Sequence, residues 1–267
     1  METIQIVTTS NDNYAKPTAV MLTSLLENKK SNNPINIYII GTLSKNNKSK
    51  LNNSVKRFGL KINFFEIAPT LFENFKLTLH FTQETYYRLI IPDLLDTNVH
   101  KTIYLDGDII LNEDITELWN INIEDYFLAA VNEFNKKRHK ALSIPTKGMY
   151  FNAGVMVINL DKWRENDISQ VVIDYLKNNE SIIQLADQDA LNAVLHSKWL
   201  ELDMKWNFTS GKLKRLIKNK KRGRSRKTSF KPAIIHFTGR NKPWNAGHKL
   251  QNEYFRYESI TIWSEET

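Results

Sequence analysis

Lys101-Thr102-Ile103-Tyr104-Leu105-Asp106-Gly107-Asp108-Ile109-Ile110-Leu111 is the stretch from which the rest of the chain is best read. Residues 101–105 form a short apolar run that reads as a buried strand, ending in two carboxylates separated by glycine. Glycine frees the backbone there, so both carboxylates are able to turn toward one centre. Adjacent anions repel unless a cation sits between them. Hard divalent ions such as Mg²⁺ or Mn²⁺ favour oxygen ligands and keep positions open for phosphate. Alone, the triplet serves equally as a solvated turn or a loose calcium loop. Its place at the end of a hydrophobic strand favours a ligand site, because open α/β sheets bind ligands there.

Outward from this stretch, strands and helices alternate. Ile4 to Thr8 reads as a first strand, followed by the polar turn Thr9 to Tyr14 and a helix through Ala19, Leu22, Leu25 and Leu26. Pro34 to Ile40 and Leu60 to Ile67 read as strands. Between them Ser44 caps a polar helix that stops at Gly59. A helix carries Tyr86-Tyr87-Arg88-Leu89, with Pro92 limiting its extent. Beyond Leu111, Phe127 to Val131, Tyr150 to Leu160, Trp199 to Leu202 and Pro232 to Phe237 read as strands, and Ile168 to Lys177 and Asp187 to His196 as helices. The alternation predicts an α/β fold with a mostly parallel central sheet flanked by helices. No internal repeat is visible. The organisation is one continuous domain over residues 1–250, interrupted by a basic segment at 212–231 and closed by an aromatic tail, 251–267.

At 267 residues the chain is long enough for a proper core, and 41% hydrophobic with 25% charged residues is ordinary for a globular protein. Absence of cysteine excludes disulfides, thiolate metal sites and a cysteine nucleophile. The first ten residues alternate like a strand and lack the basic and apolar regions of a signal peptide. No apolar run approaches the roughly 20 residues that cross a bilayer. These features point to a cytoplasmic protein. The net charge of +8 is local: 11 of the 37 basic residues lie between Lys212 and Lys231, where no acid occurs, leaving 26 against 29 acids elsewhere. Such a run is a solvated loop, an attachment to anionic lipid aided by the aromatic tail near Trp263, or a grip on an anionic acceptor. Nucleic-acid binding is disfavoured, since no reading module accompanies the run.

Several polar clusters sit at the ends of predicted strands. Thr9, Asn11 and Asn13 with Tyr14 suit a flat base and its ribose; they suit an Asx-rich helix cap as well. Arg88, among apolar neighbours, calls for a planar anion, either phosphate or an internal carboxylate. Phe151-Asn152-Ala153-Gly154 interrupts an apolar strand with an amide and small residues, permitting close ligand approach or marking a β-bulge. Asp187-Gln188-Asp189 opens a helix, where acids favour the positive dipole end. Gln188 has less reason to be there, and its carbonyl suits a developing sugar cation. His236-Phe237-Thr238-Gly239-Arg240-Asn241-Lys242-Pro243-Trp244 follows the last strand; its glycine and lysine suit phosphate, and its imidazole suits Mn²⁺ better than Mg²⁺.

Taken in order, these pieces resemble glycosyltransferase family 8, retaining enzymes that include bacterial lipooligosaccharide galactosyltransferases and the glycogenins. The resemblance runs from Ile4 to Trp244 and is carried most by Asp106-Gly107-Asp108 together with the His236 to Trp244 loop. It implies a Rossmann-like type-A glycosyltransferase fold and a UDP-galactose or UDP-glucose donor. By the same resemblance Asp106, Asp108 and His236 hold Mn²⁺ (Mg²⁺ being the alternative), and Thr9, Asn11, Asn13 and Tyr14 face uridine. Gly239 and Lys242 meet the diphosphate, while Arg88, Asn132, Asn152, Ala153, Asp187 and Gln188 surround the donor sugar beside Gly107. Asn11 stands where many relatives carry aspartate, and Asn132 where an acid often faces sugar or acceptor; both bear on specificity.

The expected reaction transfers a hexose to a saccharide, glycolipid or glycoprotein acceptor, with Lys242, Asp187 and Gln188 at the reacting centre. Gln188 is a poor nucleophile, which favours same-face attack over double displacement. Abundant Asn, Lys and Ile suggest an AT-rich bacterial genome, and location is expected in the cytoplasm, either free or peripheral on the inner membrane face. The alternative is a catalytically silent UDP-sugar-binding protein.

Overall fold

The structure, a computed structural model, describes residues 1–73, 75, 82–133, 135–145, 149–213, 231–245 and 247–263. The basic segment expected at 212–231 falls, for residues 214–230, outside the described residues, as do the last four positions of the tail.

Seven strands build the main sheet: β1 (Ile4–Thr9), β2 (Ile35–Ile40), β3 (Ile62–Phe65), β4 (Lys101–Leu105), β6 (Leu128–Asn132), β7 (Phe151–Asn159) and β8 (Trp199–Leu202), in the order β3-β2-β1-β4-β7-β6-β8. Only β7 runs antiparallel to its neighbours. The mostly parallel sheet expected from the alternation is therefore present. Three further strands, β5 (Ile109–Leu111), β9 (Phe208–Thr209) and β10 (Ile234–His236), form a small second sheet in the order β5-β10-β9.

Both faces of the main sheet are buried, and the strands divide their side chains between them with period two. Ile103 and Leu105 of β4 join Ile4, Ile6, Val155 and Val157 beneath helix α1 (Ala15–Asn28) and α2 (Lys45–Lys56). Tyr104, between them in sequence, points to the opposite face with Val7, Met156 and Ile158. That face is covered by a 3₁₀ helix (Gln83–Ile90), α3 (Ile91–Leu94), α6 (Leu160–Glu165), α7 (Ile168–Asn178) and α8 (Ala186–Leu195). Shorter helices α4 (Thr116–Trp119) and α5 (Lys136–Ala141) lie in the connections.

Local sequence explains most boundaries. Ser44 accepts from the Asn47 amide at the start of α2, and Gly59 follows that helix with φ of +73°, as its capping role required. Pro92 does not end a helix as expected. It lies in the first turn of α3, where its missing N–H has no partner to lose. Tyr86 to Leu89 accordingly sit on the 3₁₀ helix that leads into α3. The aromatic tail is also more than a tail. Residues Gln251–Glu258 form helix α9, whose buried Tyr254 and Tyr257 pack with Val20, Ile110, Ile235 and Phe237.

Candidate active site

Strand pairing over long sequence distances assembles the site. β4 delivers Asp106 just beyond its last residue, and the Asp106 amide donates to Gly154 O of β7 at 2.8 Å. The chain then turns through Gly107 into β5, which pairs antiparallel with β10 so that Ile109 faces His236. The Phe237 amide donates to Asp108 O at 3.0 Å, fastening the two strand ends together. His236 Nε2 thereby lies 3.5 Å from Asp106 Oδ2 and 3.4 Å from Asp108 Oδ1. One ligand atom from each of these three residues falls within 4.8 Å of the others.

Two carboxylate oxygens and one imidazole nitrogen suit a borderline-hard divalent ion such as Mn²⁺, Mg²⁺ preferring all-oxygen surroundings. Lys242 donates to Asp108 Oδ2 and, at 3.0 Å, to Phe237 O. Burial alone would push the Asp108 carboxyl up; the Lys242 ammonium beside it holds it well below the usual carboxylate range. Burial likewise opposes the Lys242 charge, and the Asp108 carboxylate outweighs it, raising the ammonium. An ionised Asp108 is what cation binding requires.

Arg88 settles the choice left open for it in favour of internal carboxylates. It is 6% exposed, with Nη2 at 3.2 Å from Asp106 Oδ1 and Nε at 3.1 Å from Asp187 Oδ2. Its Nη1 donates to Ala153 O at 2.7 Å, and the guanidinium lies 4.5 Å from the centre of the Tyr104 ring. Tyr104 in turn donates to Asp106 Oδ1 at 2.8 Å, so Thr9, at 3.1 Å, must donate to the tyrosine oxygen. Burial pushes Asp187 up to about 6 despite the arginine.

The β7 strand holds the centre of the site at a bulge. Ala130 pairs with Met156, yet its successor Val131 pairs with Asn152, leaving Ala153, Gly154 and Val155 without β6 partners. The freed backbone groups bind side chains of the site. Ala153 N–H donates to Gln188 Oε1 at 3.1 Å and Gly154 N–H to Asn152 Oδ1 at 3.0 Å. Close approach explains the glycine as well: a Cβ on Gly154 would come within 2.2 Å of His236 Cε1 and 2.5 Å of Asp106 Oδ2. Gly107 needs no unusual backbone angle; its smallness matters because a Cβ there would meet Thr18 Oγ1 at 2.8 Å.

A cavity of about 330 Å³ opens over this cluster. Of the residues expected to surround a ligand, Thr9, Asn11, Tyr14, Arg88, Asp106, Gly107, Asp108, Asn152, Ala153, Asp187, Gln188, His236, Gly239 and Lys242 line it. Asn13 and Asn132 do not. Asn13 is exposed within the 3₁₀ turn Asp12–Tyr14, which Asn11 caps by accepting from the Tyr14 amide. The Asn132 side-chain oxygen is buried with no partner among the described residues. Glu133, one residue later, lines the cavity instead and accepts from Asn152 Nδ2 at 2.7 Å. It is the first residue past β6, as Asp106 is the first past β4, so the strand-end rule was the available signal. Asn207 was missed without any such signal: it is fully buried, 2.9 Å from His236 Nδ1. Asp189 serves the frame, gripped by Arg138 through two nitrogens.

Fold and site together define a type-A glycosyltransferase. The chain belongs to glycosyltransferase family 8: the family model "Glycosyl transferase family 8" matches residues 5–247. It is 37% identical to General stress protein A of Bacillus subtilis, across 98% of this chain and 96% of that protein. It is 33% identical to a putative glycosyltransferase of Haemophilus influenzae, covering 91% and 74% of the two chains. In three dimensions it matches the galactosyltransferase LgtC, solved with donor and acceptor sugar analogues, with a TM-score of 0.87 at 23% identity over 99% of this chain and all of the other. Among the described residues no helix is long and apolar enough to cross a membrane.

Proposed function

We propose that this protein is a retaining hexosyltransferase moving galactose or glucose from a UDP-sugar to a hydroxyl of a saccharide, glycolipid or glycoprotein acceptor. The observation that carries the reading is the convergence of Asp106, Asp108 and His236 within 4.8 Å at the floor of a cavity that Lys242 also lines. These three residues would hold Mn²⁺, which when bound supplies electrostatic neutralisation of the diphosphate. Lys242 adds a second positive charge that costs no reorganisation as the leaving group departs. Thr9, Asn11 and Tyr14 form the edge suited to base and ribose, while Arg88 holds Asp106 and Asp187 in place from below. Asn152, Asp187 and Gln188 form the sugar side.

Same-face attack is favoured by the state of Gln188. Its Oε1 accepts from Ala153 and its Nε2 donates to Tyr150 at 3.1 Å, so the amide is pinned at both ends. In that route the bond from the anomeric carbon to phosphate breaks, the bond to the acceptor oxygen forms on the same face, and the departing phosphate takes the acceptor proton. A sugar trapped covalently on a side chain, with Glu133 the first to inspect, would overturn it. The reading extends to location: the basic run 212–231 suits the anionic inner face of a membrane, at about 1 kcal/mol per Lys or Arg near the surface.

The decisive experiment measures UDP release from a panel of UDP-sugars with Mn²⁺, beside Asp108→Ala. Turnover of one hexose, lost in the variant and with chelator, is the expected result. Absence of both turnover and UDP binding would refute the assignment. Binding without turnover, persisting when acceptor sugars are supplied, would identify a silent UDP-sugar-binding protein instead.

A further inference from the structure

A directed chain of hydrogen bonds leads away from the cation cluster. Glu133 Oε2 accepts from Asn152 Nδ2 at 2.7 Å, and Asn152 Oδ1 accepts from the Gly154 amide at 3.0 Å. A carboxylate at one end and a backbone N–H at the other permit only one orientation of the Asn152 amide. Asn152 Oδ1 also faces Asn207 at 2.8 Å, so Asn207 must present its Nδ2 there and its Oδ1 on the other side. That Oδ1 lies 2.9 Å from His236 Nδ1. An amide oxygen only accepts, so the ring proton resides on Nδ1. The lone pair of neutral His236 is then on Nε2, the nitrogen that faces Asp106 and Asp108.

We propose that Asn207 is a positioning residue that selects the Nδ1–H tautomer of His236 and so readies Nε2 as a cation ligand. The inference rests on the reading of Asp106, Asp108 and His236 as a cation site. Its logic is that of a metal-bound histidine whose outer nitrogen is held by an acceptor, where losing the acceptor weakens metal binding by about 10- to 100-fold. Here the acceptor is a neutral amide whose polarity is dictated by a carboxylate two links away. Asn207 reaches this position through tertiary pairing: it ends a 3₁₀ helix (Met204–Asn207) and leads into β9, which pairs beside β10 with Thr209 opposite His236.

Two measurements test this. The first is the tautomer of His236 in cation-free protein, read from long-range ¹H–¹⁵N couplings of the neutral ring. A proton on Nδ1 is expected; a proton on Nε2 overturns the proposal. The second is Mn²⁺ affinity, from the paramagnetic resonance of free Mn²⁺, for wild type, Asn207→Leu and Asn207→Asp. Leucine is expected to weaken binding about 10- to 100-fold and to give a mixed tautomer, whereas aspartate, which loses the hydrogen bond to Asn152 Oδ1 but still accepts from His236, keeps Nδ1–H and binds Mn²⁺ more tightly than the leucine variant. Equal affinity in wild type and the leucine variant overturns the proposal. Should leucine at this buried position prevent folding, the aspartate variant and the wild-type tautomer decide between the same outcomes. If wild type binds no Mn²⁺ while His236 carries its proton on Nδ1, the cation-site reading fails and the tautomer assignment stands.

Discussion

Gly154 and Asp187 show how single residues set the character of the site. Nothing about the backbone of Gly154 demands glycine; the demand comes from His236 and Asp106 pressing on the place where a Cβ would stand. Neither neighbour yields easily, His236 being bound to Asn207 and Asp106 to Tyr104 and Arg88. Gly154→Ala is therefore expected to cost about 1–3 kcal/mol of stability and to weaken Mn²⁺ binding at least about tenfold. Thermal unfolding and Mn²⁺ titration check this, and wild-type affinity in the alanine protein would contradict the crowding argument. Asp187 offers a pH test. Burial, partly offset by Arg88, raises its carboxyl from 3.8 to about 6. The native state thus holds the proton more tightly than the unfolded chain. The resulting stabilisation is complete below pH 3.8 and is lost as pH rises through about 6. Relative to wild type, Asp187→Asn should gain up to about 3 kcal/mol between pH 4 and pH 7. Urea unfolding across that window measures it, and a stability difference that stays level or falls would show that the carboxyl is not raised.

At the scale of elements, the bulge in β7 and the small β5-β10-β9 sheet do the positioning. The bulge releases backbone groups for Arg88, Gln188 and Asn152, which a regular ladder would have consumed. The small sheet holds His236 opposite Ile109, and α9 holds the sheet. Tyr254 contacts Phe237 at a 6.3 Å ring separation and Trp244 at 5.3 Å, while Trp244 meets Tyr14 edge-on at 6.0 Å. The terminal helix thus reaches the cavity wall through two aromatic contacts. Tyr254→Ala is expected to lose about 3–5 kcal/mol and to raise the KM for the sugar nucleotide more than it lowers kcat. Urea denaturation and initial rates test both parts. Unchanged stability would mean that residues 251–258 are an appendage after all.

Across the whole molecule, charge is separated from chemistry. The body without the basic run carries a slight excess of acid, and among the described residues the groups lining the cavity all lie outside that run. Neutralising Lys220, Lys221, Arg222, Arg224 and Arg226 together should leave UDP release unchanged while reducing sedimentation with anionic vesicles at moderate salt. Undiminished sedimentation would remove the membrane from the functional reading.

What the sequence by itself determined is short-range. Period-two apolar runs, the Ser44 cap, the Gly59 stop and the carboxylates beyond β4 each depend on neighbours within a few residues, so the strands of the main sheet and the chemical types at their ends were readable, while the short β5 and β9 of the second sheet were not. The ordered motifs from Ile4 to Trp244 were enough to point to the family. Other features waited for the tertiary structure. Whether Arg88 meets phosphate or carboxylate depends on Asp187, about a hundred residues away. That Glu133 rather than Asn132 faces the cavity depends on which side of the strand end opens to it. The partnership of Asn207 with His236 depends on the register of β9 against β10 and on an amide polarity set as far away as Glu133. Registers between distant strands and hydrogen-bond directions are properties of packed, mutually constrained groups, and no local pattern of residues encodes them.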